Sequence, residues 1–271
     1  MRKCQLAALL VERGLFETLD EARRWIMAGQ VLVNEQRSDK PGMLVPCDAT
    51  LRVRGRQRYA SRGGYKLEAA LAHFGVEVVG RVALDSGAST GGFTDCLLQH
   101  DASLVYAVEV GYGQLTGRLR ANPRVRNLER TNLSDLLLTH LEPPPALITL
   151  DLSYLSLTAA LPIACTLLAP AGQVLALLKP LFEVEDAEAR RSGQVADPAL
   201  LVAAIRRVLA AGAASGLTPM GVAKLALQPR HGVNEFFVSL VRPAAHPSWQ
   251  YDDTQLLQIV QSPGIGNVEE Q

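Results

Sequence analysis

The stretch of this 271-residue chain richest in chemical possibility is a run of small residues behind an acid, Asp85-Ser86-Gly87-Ala88-Ser89-Thr90-Gly91-Gly92-Phe93. It follows an apolar run at 82–84 and leads into a helical pattern starting at Gly92. Small residues let a backbone approach a ligand closely, and the amides at a helix start favour a carboxylate. Glu109 lies 24 residues after Asp85 and ends the next apolar run. An acid placed there can hold both ribose hydroxyls of an adenosine. Asp85, Gly87, Ala88, Ser89, Gly91, Gly92, Phe93 and Glu109 are therefore candidate cofactor-binding residues. Asn132, after the third apolar run, and Asp151, after the fourth, complete the rim, because ligands of open α/β sheets sit beyond the carboxyl ends of the strands.

Three readings of the loop compete. A nicotinamide dinucleotide asks for G-x-G-x-x-G, whereas this loop opens on Asp85 and places its small residues at Gly87, Ser89 and Gly91. Asp-x-Gly-x-small-x-Gly, followed by an acid closing the second strand, is the pattern of an S-adenosylmethionine site. A ligand-free turn is the third reading.

Elements that would hold these residues can be read from periodicity. Apolar runs at 82–84, 104–110, 125–129, 146–150, 173–178, 221–227 and 236–241 predict strands, and the spacing predicts helices at 92–99, 158–168 and 198–214. Alternating strands and helices predict a mostly parallel sheet covered on both faces. No helical segment separates the last two strands, so an antiparallel hairpin is expected at one edge. The expected fold is therefore the seven-stranded, Rossmann-like α/β sheet of a class I S-adenosylmethionine methyltransferase. Ahead of it, helices are expected at 6–13, capped by Gly14, and from a Thr18/Glu21 capping box to Gly29. Short strands at 31–33 and 51–54 complete a small α+β module. The expected division is 1–58, 59–243 and a loosely ordered tail at 244–271.

Charge is unevenly spread. Residues 1–66 carry thirteen Lys and Arg against seven Asp and Glu, a balance of +6, and the rest carries fourteen against twenty, a balance of −6. A basic arm on a mildly acidic body points to a polyanionic partner, although a basic solvated surface would look the same. No apolar run nears the roughly 20 residues of a membrane span. No cleavable leader is discernible, so a cytoplasmic protein is expected. Cys4, Cys47, Cys96 and Cys165 show no metal-ligand spacing and are expected as reduced packing residues, with no metal site.

Leu10-Val11-Glu12-Arg13-Gly14, Ser61-Arg62-Gly63-Gly64, residues 85–95, Tyr112-Gly113-Gln114, Glu129-Arg130-Thr131-Asn132 and Leu178-Lys179-Pro180 together resemble the TlyA family. The resemblance spans nearly the whole chain up to residue 243. It implies an N-terminal RNA-binding domain like that of a small-subunit ribosomal protein, joined to an FtsJ-like ribose 2′-O-methyltransferase. It implies a catalytic tetrad at Lys66, Asp151, Lys179 and Glu235. In it Lys179 would be the base, Lys66 a second positive charge, and the two acids would position them. It implies a cytidine of ribosomal RNA as substrate, in the large subunit first and the small subunit second, with no metal. Arg2, Lys3, Arg23, Arg24, Arg58 and Arg62 are the candidate RNA contacts, because guanidinium forks suit phosphates. Two rivals stand beside this reading: a non-enzymatic RNA-binding or haemolysin-like membrane-active protein, and a pseudouridine synthase with the same N-terminal module. The second would leave the loop at 85–93 without a purpose.

Overall fold

A computed structural model describes residues 2–16, 18–55, 57–226, 233–242 and 251–266. The chain divides into two compact units, Met1–Arg58 and Tyr59–Gln271.

In the first unit, β1 (Lys3–Gln5) runs into α1 (Leu6–Glu12) and then α2 (Leu19–Met27). The strands β2 (Val31–Val33), β3 (Gln36–Ser38), β4 (Leu44–Pro46) and β5 (Leu51–Val53) follow. Leu6, Leu9 and Leu10 of α1 are buried with Ala22 and Ile26 of α2, the helical spacing legible in the sequence. Gly14 turns left-handed after α1, and the Thr18 hydroxyl accepts the Glu21 amide at 3.2 Å to start α2. β2 lies between β3 and β5, while β1 pairs antiparallel with β4. That second pairing brings together Cys4 and Cys47, which form a disulfide. The expectation of reduced thiols is thus corrected for this pair. Their 43-residue separation hid a contact that strand register creates.

The second unit is built from α3 (Gly63–Phe74), β6 (Val82–Ser86), α4 (Gly92–Gln99), β7 (Leu104–Glu109), α5 (Gly117–Arg120), β8 (Val125–Glu129), β9 (Leu147–Leu150), α6 (Leu157–Leu167), β10 (Gln173–Leu178), α7 (Ala187–Ser192), α8 (Pro198–Ala214), β11 (Thr218–Lys224), β12 (Phe236–Val241) and α9 (Asp253–Gln261). The sheet order is β11-β12-β10-β9-β6-β7-β8. Neighbours are parallel except where β12 runs antiparallel to both β10 and β11. Strand residues alternate between two cores. Leu84, Tyr106, Val108 and Ile148 face the α6/α8 side, whereas Ala83, Val105, Ala107 and Leu147 face the α3/α4 side. Period-2 alternation with both faces apolar is what a covered parallel sheet requires.

Residues 253–261, expected within a loose tail, form α9. Asp252 and Gln255 make a capping box, and Leu256 and Val260 are buried one helical turn apart against the α8 side of the core. Arg206 and Asp253 form an ion pair. Ile265 bridges to Leu225 at the edge of β11. Leu227 of the expected strand at 221–227, and residues 244–250 and 267–271 of the expected tail, lie outside the described residues. Among the described residues no helix is long and apolar enough to cross a membrane.

Candidate active site

The carboxyl ends of β6, β7, β9 and β10 and the start of β12 assemble most of the candidate residues. Gly87 leaves β6 at φ +85°, and a Cβ there would sit 2.2 Å from the Asp151 carbonyl oxygen. The loop is thus pressed against the end of β9, and Asp151 donates its amide to the Ser86 carbonyl at 3.0 Å. Gly87 and Ala88 donate their amides to the Val108 carbonyl. Ser89 is left-handed, φ +47°, and Gly91 starts α4 at φ +101°. The Glu109 carboxylate accepts the Ser89 amide at 2.9 Å and the Gly111 amide at 2.8 Å, which fixes it across the loop mouth. Asn132 is half-buried and opens the 3-10 turn Leu133–Asp135 after β8.

Three loop candidates are placed otherwise than a direct ligand contact needs. Phe93 is buried and stacks on Phe237 with centroids 6.0 Å apart, so its ring belongs to the core. A Cβ on Gly92 would meet Ser61 Oγ at 2.2 Å, so this glycine serves the close packing of α3 on α4. Asp85 is fully buried, and its carboxyl accepts from the Thr94 hydroxyl at 2.6 Å and the Thr149 hydroxyl at 3.2 Å. Burial pushes its pKa up to about 7, the charge of Asp151 adds to the rise, and the two hydroxyls oppose it. Asp85 therefore braces the loop from beneath.

The four tetrad candidates fall into two ion pairs. Lys66, in the first turn of α3, reaches Glu235 at 2.5 Å, with the side chains 17% and 7% exposed. Lys179, directly after β10, reaches Asp151 Oδ1 at 2.7 Å. That approach is an ion pair outside hydrogen-bond angles, since Asp151 Oδ1 accepts no hydrogen bond of ordinary geometry. Lys179 Nζ also donates to the Leu152 carbonyl at 3.2 Å and the Ser153 hydroxyl at 3.0 Å. The antiparallel register ends at Leu178↔Phe236, so the next residues outward, Lys179 and Glu235, leave the sheet side by side. Just ahead of the helix that carries Lys66, the Ala60 amide donates to Asp95 Oδ2 of α4 at 2.8 Å, and Arg118 grips the same carboxylate with both Nη atoms, at 3.0 and 2.6 Å.

The candidate RNA contacts are all exposed. Arg2, Lys3, Arg23, Arg24 and Arg58 belong to the first unit and Arg62 to the second. Arg23 is paired with Asp20 at 3.2 Å. Sequence reasoning missed Ser153 and Glu183. Among the described residues no cluster of His, Cys, Asp and Glu could hold a metal ion.

An open sheet with β12 inserted antiparallel, and a small-residue loop closed by an acid on the neighbouring strand, define a class I S-adenosylmethionine-dependent methyltransferase. Residues 59–242 match the FtsJ-like methyltransferase family and residues 5–46 match the S4 domain. The chain belongs to the FtsJ-like methyltransferase family and carries an N-terminal S4 domain. It is 43% identical to Bacillus subtilis YqxC over 89% of this chain and 87% of that protein. It is 36% identical to the Mycobacterium tuberculosis 16S/23S rRNA (cytidine-2'-O)-methyltransferase TlyA, over 88% of this chain and 90% of that protein. A solved Streptococcus thermophilus structure named as a hemolysin superposes with TM-score 0.70 at 38% identity, covering 96% of this chain and 95% of that one.

Proposed function

We propose that this protein methylates the ribose 2′-hydroxyl of a cytidine in ribosomal RNA. The target would lie in the large subunit, with a small-subunit site as the alternative, and the chain would act on RNA or ribosomal subunits in the cytoplasm. The observation carrying this reading is the pair of Lys–carboxylate couples, Lys66–Glu235 and Lys179–Asp151, at the rim where the small-residue loop meets β9. The names of the rRNA-modifying relatives support the substrate class.

The loop fits S-adenosylmethionine. Gly87 keeps the cradle against Asp151 free of a side chain, and Glu109 presents a fixed carboxylate to a diol. Gly87, Ala88, Ser89, Gly91 and Glu109 would hold it, with Asn132 on the adenine side, and when bound it supplies an electrophilic methyl group. The chain's own residues do the rest. Lys66 and Glu235 orient the ribose. Lys179 faces three oxygens, as many as the hydrogens of an ammonium. An ammonium has no lone pair, so the nitrogen must first give up one of those hydrogens to solvent, opening that contact, before it can take the hydroxyl proton. Proton removal and alignment are what this weak nucleophile needs. Arg2, Lys3, Arg23, Arg24, Arg58 and Arg62 would meet RNA phosphates.

Incubating ribosomal subunits with labelled cofactor and mapping alkali-resistant ribose positions tests the assignment. Lys179→Ala should abolish transfer while calorimetric cofactor affinity stays within about threefold, since Lys179 touches the rim and not the loop. Turnover retained in that variant removes the assigned role.

A further inference from the structure

Glu183 is 3% exposed, yet no step described so far uses its carboxylate. It sits one turn beyond Lys179, at the end of the 3-10 segment Pro180–Phe182. One carboxylate oxygen accepts the Ser156 hydroxyl at 2.5 Å, and the other accepts the Leu157 amide at 2.8 Å. Ser156 is the N-cap of α6 and Leu157 its first residue. Residues 151–156, which lead into that helix, supply all three oxygens around Lys179 Nζ: Asp151 Oδ1, the Leu152 carbonyl and the Ser153 hydroxyl. The loops after β9 and β10 are therefore tied twice. Lys179 reaches from the second loop to the first, and the far end of the first loop reaches back to Glu183. Arg207 of α8 donates to the Glu183 carbonyl oxygen at 3.0 Å and so holds the backbone that carries this carboxylate.

We propose that Glu183 is a positioning residue for methyl transfer: by capping α6 it sets the 151–157 loop, and through that loop the place of Lys179. The inference rests on the catalytic reading of Lys179. First-turn amides of a helix have no partner inside the helix. Ser156 Oγ accepts the Thr158 amide at 3.1 Å, and Glu183 accepts that of Leu157. Without the carboxylate the buried Leu157 amide loses its acceptor, and the loop relaxes until that amide finds another. A displacement of about 1 Å at the residues that align the reacting groups costs about 100-fold in turnover.

Three variants separate positioning from simple capping. Glu183→Gln keeps an acceptor for Leu157 and offers an N–H to Ser156, whose hydroxyl can turn to Thr158 Oγ1 at 2.7 Å. Glu183→Asp falls one methylene short, and Glu183→Ala removes both bonds. The full chain and each variant would be assayed for kcat and KM on ribosomal RNA, normalised to calorimetric cofactor-binding sites, with hydrogen exchange followed at 151–157. Glu183→Ala and Glu183→Asp should lose about 100-fold in kcat with cofactor affinity little changed, and exchange should rise at 151–157. Glu183→Gln should keep kcat within about threefold. Wild-type kcat per binding site in Glu183→Ala would overturn the proposal, as would a Gln variant as impaired as the Ala variant. If the wild type does not methylate ribosomal RNA, the functional reading fails instead. Exchange still decides the role of Glu183: unchanged protection of 151–157 in Glu183→Ala overturns it.

Discussion

A single methyl group added at Gly87 tests the junction between the proposed cofactor loop and the proposed catalytic rim. Gly87→Ala would put Cβ 2.2 Å from the carbonyl oxygen of Asp151 and 2.9 Å from its carbonyl carbon, at φ +85°. A left-handed alanine costs about 1–2 kcal/mol. Relief of the contact needs a separation near 3.5 Å, so the two backbones must part by about 1 Å. Parting them loosens the 3.0 Å bond from the Asp151 amide to the Ser86 carbonyl, worth about 1 kcal/mol. The sum is about 2–3 kcal/mol, which in a domain of this size lowers Tm by about 4–12 °C. Asp151 carries the oxygen that meets Lys179, so the same retreat should lower kcat by about 100-fold. A thermal scan and a methyl-transfer assay on ribosomal subunits would read both effects. A variant with wild-type melting and wild-type turnover would refute the close approach and the link drawn from Gly87 to Asp151.

Two further perturbations address other parts of the chain. The Asp85 carboxyl sits at about 7 when folded against 3.8 in the free group. The folded state therefore keeps a proton that the unfolded chain releases, and this contribution to stability is lost as pH rises from about 4 through about 7, by up to about 4 kcal/mol. Urea unfolding at several pH values should show a shallower decline for Asp85→Asn than for the wild type, and identical slopes would sink the assignment. In the first unit the Cys4–Cys47 disulfide spans 43 residues, a loop whose closure is worth about 4 kcal/mol. Cys47→Ser in the full chain should speed hydrogen exchange of the β2 amides accordingly, and unchanged protection would show that the bridge contributes nothing to that unit.

Much of the candidate site was legible because its signals are local. Asp85, the small residues from Gly87 to Gly92 and Glu109 lie within one strand-loop-helix-strand span, where backbone approach and helix polarity follow from residue type. Strand alternation and the Thr18 cap are local in the same way. The signals of the helix at 253–261 are local too, in Asp252, Gln255, Leu256 and Val260, although Pro247 and Pro263 flank them.

By itself, then, the sequence determined the order of the seven sheet strands, the small-residue loop after the first of them and the basic balance of the N-terminal part, all of which depend on residues near one another in the chain. Only the tertiary structure decided which charges meet. Lys66 finds Glu235 across 169 positions, and Lys179 stands beside Glu235 because β12 enters antiparallel to β10. It also decided that Asp85 and Phe93 are enclosed, that Cys4 joins Cys47, and that Glu183 reaches Ser156. The reason is physical. Propensity and periodicity act over a few residues, whereas register and packing set the distances between charges that the chain carries far apart.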